Sequence, residues 1–330
     1  MIYKNIDFHN VQDLVPHPDG GYLLARLPAA VRAGLDQEAR ERTSLYATGA
    51  ELRFRINSGE AAVTLRAEAA AEAQVAYIYY GSMQGGWVTS SRIIFEKNTE
   101  IRLSQSGCIE ELEKIRREFG LPFSPAVIRI VLPYCKCIFV DVQGDIEPPR
   151  PEDLPSKTYL AYGSSITHGS LALAAPYAYP RQIAAKLGVD CRNLGFAGSA
   201  HMEPAVAEYI HQDQKWDFAT VEMGVNMLEA FTPEEFEARV AEFCRILNQD
   251  SRPIFCTDIF TSMYDRNDKR EKAEQFRSIV KKHAGKMIYT PGKSLLTTIK
   301  HVSEDLVHPS IAGVAEIAEN WSAVIRKHIQ

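Results

Sequence analysis

The chain has 330 residues, of which 45% are hydrophobic and 24% charged, with a net charge of −5. At roughly 150 residues per domain this is enough for two domains, with a core that needs neither disulfide nor metal to hold it. Residues 1–150 carry 17 basic and 19 acidic side chains and residues 151–330 carry 20 and 23, so neither half has the positive field that nucleic acid requires.

The opening run Met1-Ile-Tyr-Lys-Asn-Ile-Asp-Phe-His-Asn lacks the charged segment and apolar stretch of a secretory signal. No later stretch approaches the roughly 18 apolar residues of a spanning helix. From Glu51 onward short strand-like runs dominate. Glu51–Asn57 alternates polar and apolar residues before Ser-Gly, and 62–66, 75–80, 87–90, 92–95, 100–103, 126–132 and 137–142 are similar. Cys108–Phe119 is the exception, a short helix with opposite charges four residues apart. The Ala/Glu-rich stretch Ala67–Ala73 is too short to be a low-complexity tract. Many close-spaced strands imply a β-sandwich over residues 1–147.

Six cysteines show no disulfide framework. Cys135 and Cys137 share one face of a strand, and without histidine neighbours they read as packing. These features imply a reduced, cytoplasmic protein without membrane association.

Four prolines at 148–155 mark a stiff linker over 148–156. After it, bounded apolar runs at 158–162, 190–196, 218–223, 253–259 and 287–289 alternate with helical segments at 177–187, 204–211, 233–247, 269–283 and 311–329. Such alternation predicts a parallel sheet with helices on both faces over 157–330, its ligands lying beyond the carboxyl ends of the strands.

The polar oddities do follow the strands. Tyr162-Gly-Ser-Ser-Ile-Thr-His-Gly169 comes after the first, Asn193-Leu-Gly-Phe-Ala-Gly-Ser199 after the second and Glu222-Met-Gly-Val-Asn-Met227 after the third, while Asp305-Leu-Val-His-Pro309 precedes the last helix. A serine at a strand-to-helix turn is exposed at a site that favours developing negative charge. Gly198 lets a backbone N–H approach a substrate, and Asn226 can offer an amide donor. Asp305 and His308 lie one turn apart, so the carboxylate can orient an imidazole whose other nitrogen takes a proton from serine.

These four blocks together resemble the SGNH hydrolases, the GDSL esterase/lipase family. Gly163-Ser164-Ser165-Ile166-Thr167 corresponds to its first block, Gly198 to the second, Gly224-Val225-Asn226 to the third and Asp305 through Pro309 to the last. The resemblance covers about residues 157–312. It implies a flavodoxin-like three-layer α/β/α domain, here preceded by a smaller, jelly-roll-like β-sandwich. It also implies Ser165 as nucleophile with His308 and Asp305, and an oxyanion hole from Ser165, Gly198 and Asn226. Two positions depart from the family pattern: Ser164 replaces the usual aspartate, and Met227 the aspartate that often follows the asparagine.

The implied activity is hydrolysis of a short-chain ester, acetyl on a carbohydrate or small molecule, without cofactor or metal. The same triad could serve an acyltransferase, and a carbohydrate-binding protein that has lost catalysis is the reading from another class. His168 and His201 read as exposed loop residues or substrate contacts, and no zinc-like spacing joins them to His308. Glu203 precedes Pro204 and reads as part of a helix start. Asp258 reads as pocket-shaping or structural, and the exposure of Glu222 is open because side-chain direction alternates along a strand.

Overall fold

The structure is a computed structural model and describes residues 1–68 and 74–329. Most of the alanine-rich stretch Ala67–Ala73 thus lies outside the described residues. The chain divides into two compact units: Met1–Pro28, Leu45–Ser156 and Gly188–Arg192 form one, and Ala29–Ser44, Lys157–Leu187 and Asn193–Gln330 the other.

The first unit is an antiparallel sheet wrapped round its own core. Its strands are β1 (Ile2–Tyr3), β2 (Ile6–His9), β3 (Asp13–Pro16), β4 (Tyr22–Ala25), β5 (Glu51–Glu68), β6 (Gln74–Tyr80), β7 (Met83–Gln84), β8 (Ser91–Ile94), β9 (Thr99–Ser104), β10 (Val127–Val131) and β11 (Lys136–Glu147). The main path runs β3-β4-β11-β5-β10-β6-β7. β5 organises it: its first half lies between β2 and β10, and its second half between β9 and β11. Leu52, Phe54 and Ile56 face the core from the first half, and Ala61, Val63, Leu65 and Ala67 from the second. The inward set therefore changes from even to odd positions across the exposed Asn57–Glu60 segment. β11 accommodates the change with register shifts around Gly144, which has φ +119° and no room for a Cβ, since one would stand 2.5 Å from the Glu60 carbonyl oxygen.

Two sequence expectations differ here. The runs 51–57 and 62–66 are one strand, because the polar Ser58-Gly59 pair bends without ending the ladder. Trp87–Ser90 is a turn and not a strand, because Gly85 packs directly on the Thr89 backbone and reverses the chain, leaving Trp87 fully exposed. Helix Ile109–Phe119 is present and ends at left-handed Gly120. Cys135 and Cys137 are buried with sulfurs 3.6 Å apart. The hydrogen bond between them, with burial, pushes the Cys137 thiol well up and makes it a poor nucleophile.

The other face of β5 and β10 buries charge. Glu51 accepts from Arg53 Nε at 2.8 Å and from Arg129 Nε and Nη2 at 2.8 and 2.7 Å. Arg53 forks onto Asp190 at 2.6 and 2.7 Å, and the Arg129 guanidinium lies 3.6 Å from the Phe123 ring centre. Two guanidiniums and two carboxylates balance, as burial demands.

The five-stranded parallel sheet consists of β12 (Thr158–Gly163), β13 (Asp190–Gly195), β14 (Phe218–Glu222), β15 (Ile254–Thr257) and β16 (Ile288–Thr290), in the order β13-β12-β14-β15-β16, and from Asn193 of β13 onward, with β12, it belongs to the second unit. Helices Tyr179–Leu187 and Ile311–Arg326 pack on each other, with Tyr179 stacked on the buried Trp321. Helices Pro204–Gln212, Pro233–Leu247 and Arg270–His283 pack in succession, with Phe236 stacked on Phe276. These two sets are the outer layers of a flavodoxin-like domain, whose strand order reverses beside β12, the switch point beyond which such sheets place their ligands. The helix starts are written locally: Thr232 and Glu235 form a capping box with Pro233 at the first helical position. No helix among the described residues is long and apolar enough to cross a membrane.

Candidate active site

The second unit carries all five sequence-predicted site residues. Ser164 ends the extended segment leaving β12, and its Oγ accepts from the Ile166 amide at 3.2 Å. Ser165 therefore opens the one-turn helix Ser165–His168, which stops at Gly169 with φ +107°. Ser165 is 8% exposed, and its Oγ stands 2.7 Å from His308 Nε2.

His308 Nδ1 lies 2.6 Å from Asp305 Oδ2. The other oxygen of Asp305 accepts from Ser303 Oγ at 2.6 Å and from the amides of Val307 and His308 at 2.9 Å each. Burial alone would raise this carboxyl, but those donors outweigh it and hold Asp305 well below the usual carboxylate range. The loop itself is pinned: Ser303 N–H donates to the His308 carbonyl at 2.7 Å, and Ser310 N–H to His301 at 2.8 Å. Serine, imidazole and carboxylate thus form one continuous hydrogen-bonded relay.

Gly198 follows β13 at φ +75°, in the left-handed region that glycine adopts without strain. Asn226 lies in the 3₁₀ turn Val225–Met227 after β14, and its Oδ1 accepts from the Ala200 amide at 3.1 Å. With the carbonyl oxygen engaged in this way, the NH₂ end is left as the donor.

Several neighbours were not readable from the sequence. Glu222 is buried; its Oε2 accepts from the Ser164 amide at 2.7 Å and from Thr167 Oγ1 at 3.0 Å, and Thr167 also meets the Tyr179 hydroxyl at 2.7 Å. It braces the turn beneath Ser165. Gly163 allows this, since a Cβ there would stand 2.5 Å from Glu222 Oε2. His168 is not an exposed loop residue: Gly195 lets its backbone approach closely, the ring is fully buried and Nδ1 accepts from the Ala197 amide at 3.2 Å. His201 is not exposed either and pairs with Asp36 at 2.9 Å. Asp258 is structural, holding the Tyr289 hydroxyl and, at 2.8 Å, the Gly292 amide.

Burial pushes the Glu222 carboxyl up, and the Ser164 and Thr167 donors only partly offset this. The folded state then keeps a proton where the unfolded chain has released it. The resulting stability is fully present below about pH 4.5 and is lost as pH rises through the folded value. Glu222→Gln is expected to flatten that part of the Tm-against-pH curve. Glu222→Ala orphans the Ser164 amide and is expected to cost about 1–3 kcal/mol.

A Ser–His–Asp relay at the carboxyl edge of a parallel α/β sheet has the geometry with which a serine attacks an acyl carbonyl. Residues 156–326, just over half the chain, match the GDSL-like lipase/acylhydrolase family model, and the chain belongs to that family. No curated protein matches it significantly. Among solved structures it is similar to the salicylyl-acyltransferase SsfX3 from a tetracycline biosynthetic pathway, at 16% identity and TM-score 0.72, covering 99% of this chain and 96% of that one. It is also similar to the acetyl xylan esterase Est2A from the rumen bacterium Butyrivibrio proteoclasticus, at 12% identity and TM-score 0.57, covering 99% and 96%. A third likeness is to a family two carbohydrate esterase from Clostridium thermocellum in complex with cellohexaose, at 14% identity and TM-score 0.54, covering 84% and 91%. At these identities the likeness concerns the fold.

Proposed function

We propose that this chain is a serine esterase that removes a short acyl group, acetyl foremost, from a hydroxyl of a carbohydrate or related small molecule. The observation that carries this is the Ser165–His308–Asp305 relay, with contacts of 2.7 and 2.6 Å, inside the region that matches the family model. His308 Nε2 takes the Ser165 proton as Oγ attacks the ester carbonyl, and Asp305 holds the imidazolium. The amides of Ser165 and Gly198 and the Asn226 NH₂ group stabilise the tetrahedral oxyanion. His308 then protonates the departing alcohol, and water releases the acid from the acyl-serine by the same path in reverse. No cofactor takes part. The catalytic module is centred on 157–330, with 1–147 as an accessory domain and 148–156 as the linker. Six free cysteines support a reducing, cytoplasmic setting, and the acetyl xylan esterase fold supports a glycan ester as substrate.

A second reading, acyl transfer to an alcohol, is favoured by the apolar residues flanking the relay in sequence. Leu171 and Leu173 follow Ser165, and Leu306 precedes His308; they are 54%, 74% and 48% exposed, all at positive φ. Left-handed leucines are strained, and exposed ones in such loops suit an apolar acyl group or acceptor better than water alone. The salicylyl-acyltransferase fold points the same way.

Turnover of 4-nitrophenyl acetate against longer-chain and aryl esters, with and without sugar alcohols, tests both readings. Acetate preference with free acid as product supports the esterase. Ester products formed on added acceptor support the transferase, and no turnover of any ester overturns both. Asn226→Ala is expected to lower kcat by about 10²–10³ with little change in KM, the signature of a lost oxyanion donor.

A further inference from the structure

The second unit holds another cluster of ligating side chains. Asp36, His201 and Glu203 each bring one ligand atom to within 4.8 Å of the other two, and all three belong to that unit. We propose that Asp36, His201 and Glu203 form a binding site for a divalent transition-metal ion of the zinc type.

Glu203 is the strongest sign. It is 3% exposed, and its Oε1 is buried without a hydrogen-bond partner among the described residues. It stands at the start of helix Pro204–Gln212, yet its side chain makes no capping bond. A buried carboxylate oxygen without a partner is costly, and a cation is the partner such an oxygen accepts best.

The spacing suits the ion. Tetrahedral bonds of about 2.0–2.2 Å place neighbouring ligand atoms about 3.3–3.6 Å apart. His201 Nδ1 and Asp36 Oδ2 are already 2.9 Å apart, so an ion replaces the proton between them, and Glu203 closes from no more than 4.8 Å. Arg239 occupies the other oxygen of Asp36, at 3.7 Å from Oδ1, and leaves the Oδ2 edge to the cluster. Phe231 stacks at a tilt 5.1 Å from the His201 ring and gives the site an apolar wall. Three protein ligands leave a fourth position for water.

Its place in the fold gives the ion a consequence. Segment 29–44 meets the loop after β13 through Asp36–His201 and through Thr43 Oγ1–Ser199 Oγ at 2.7 Å. That loop carries Gly198 and Ala200, whose amide holds Asn226. A bound ion therefore stiffens the backbone from which the oxyanion donors are presented. This consequence rests on the esterase reading; the binding itself does not.

The test is titration of the metal-free, tag-free full chain with Co²⁺, followed by competition with Zn²⁺. The expected result is one equivalent of Co²⁺ with the intense visible bands of four-coordinate cobalt, displaced by Zn²⁺. Glu203→Gln and the half-buried Asp36→Asn, which keep side-chain size and hence the fold, are each expected to weaken binding by at least about tenfold. A wild-type spectrum that stays that of six-coordinate aqueous cobalt overturns the proposal. So does binding that both variants leave unchanged, which would place the ion on other histidines. Either failure leaves the ester assays intact.

Discussion

Replacing Ser165 with alanine is expected to lower kcat for 4-nitrophenyl acetate by about four orders of magnitude or more, leaving only what oxyanion donors and binding supply. Ser164→Ala is the contrasting variant. Ser164 Oγ is spent on the Ile166 amide, so its loss removes a helix cap worth about 0.5–2 kcal/mol and leaves turnover in place. The two serines are adjacent in sequence, and only Ser165 Oγ reaches His308 Nε2. Activity that survives Ser165→Ala and vanishes in Ser164→Ala would reverse the assignment.

The largest stability effect is expected in the first unit, at Glu51. This carboxylate is 1% exposed and accepts from both Arg53 and Arg129. Glu51→Ala leaves two buried guanidiniums short of a partner, and breaking such a group from one side costs about 3–5 kcal/mol. A urea midpoint lowered at unchanged slope is the readout; a loss below about 1 kcal/mol, the worth of an exposed pair, would contradict the reading. Asp190 adds a pH dependence of known sign. Burial would raise its carboxyl, but the Arg53 guanidinium dominates and holds it well below its ordinary value. Its contribution is therefore fully present above about pH 3.9 and is lost as pH falls through the folded value.

The parallel sheet was legible because its first four strands are short, almost wholly buried runs and its helices begin at readable signals such as Thr232-Pro233. β1 to β4 were not, since at two to four residues they are too short for an alternating pattern to show. The relay was legible because Asp305 and His308 are one turn apart and Ser165 follows a strand directly. Glu222 was not, because alternation along β14 leaves its direction open until the neighbouring strand is placed. His168 was misjudged because its burial depends on the missing side chain of Gly195, 27 positions further on. Asp36 could not be joined to His201 by any local spacing, since 165 residues separate them.

Intact-mass spectrometry of the protein quenched during 4-nitrophenyl acetate turnover shows whether an acyl group passes through Ser165. One added acetyl group is expected, mapped by peptide analysis to Ser165 and absent in Ser165→Ala. Turnover at full rate with no acyl adduct, or an adduct on any other residue, would contradict it.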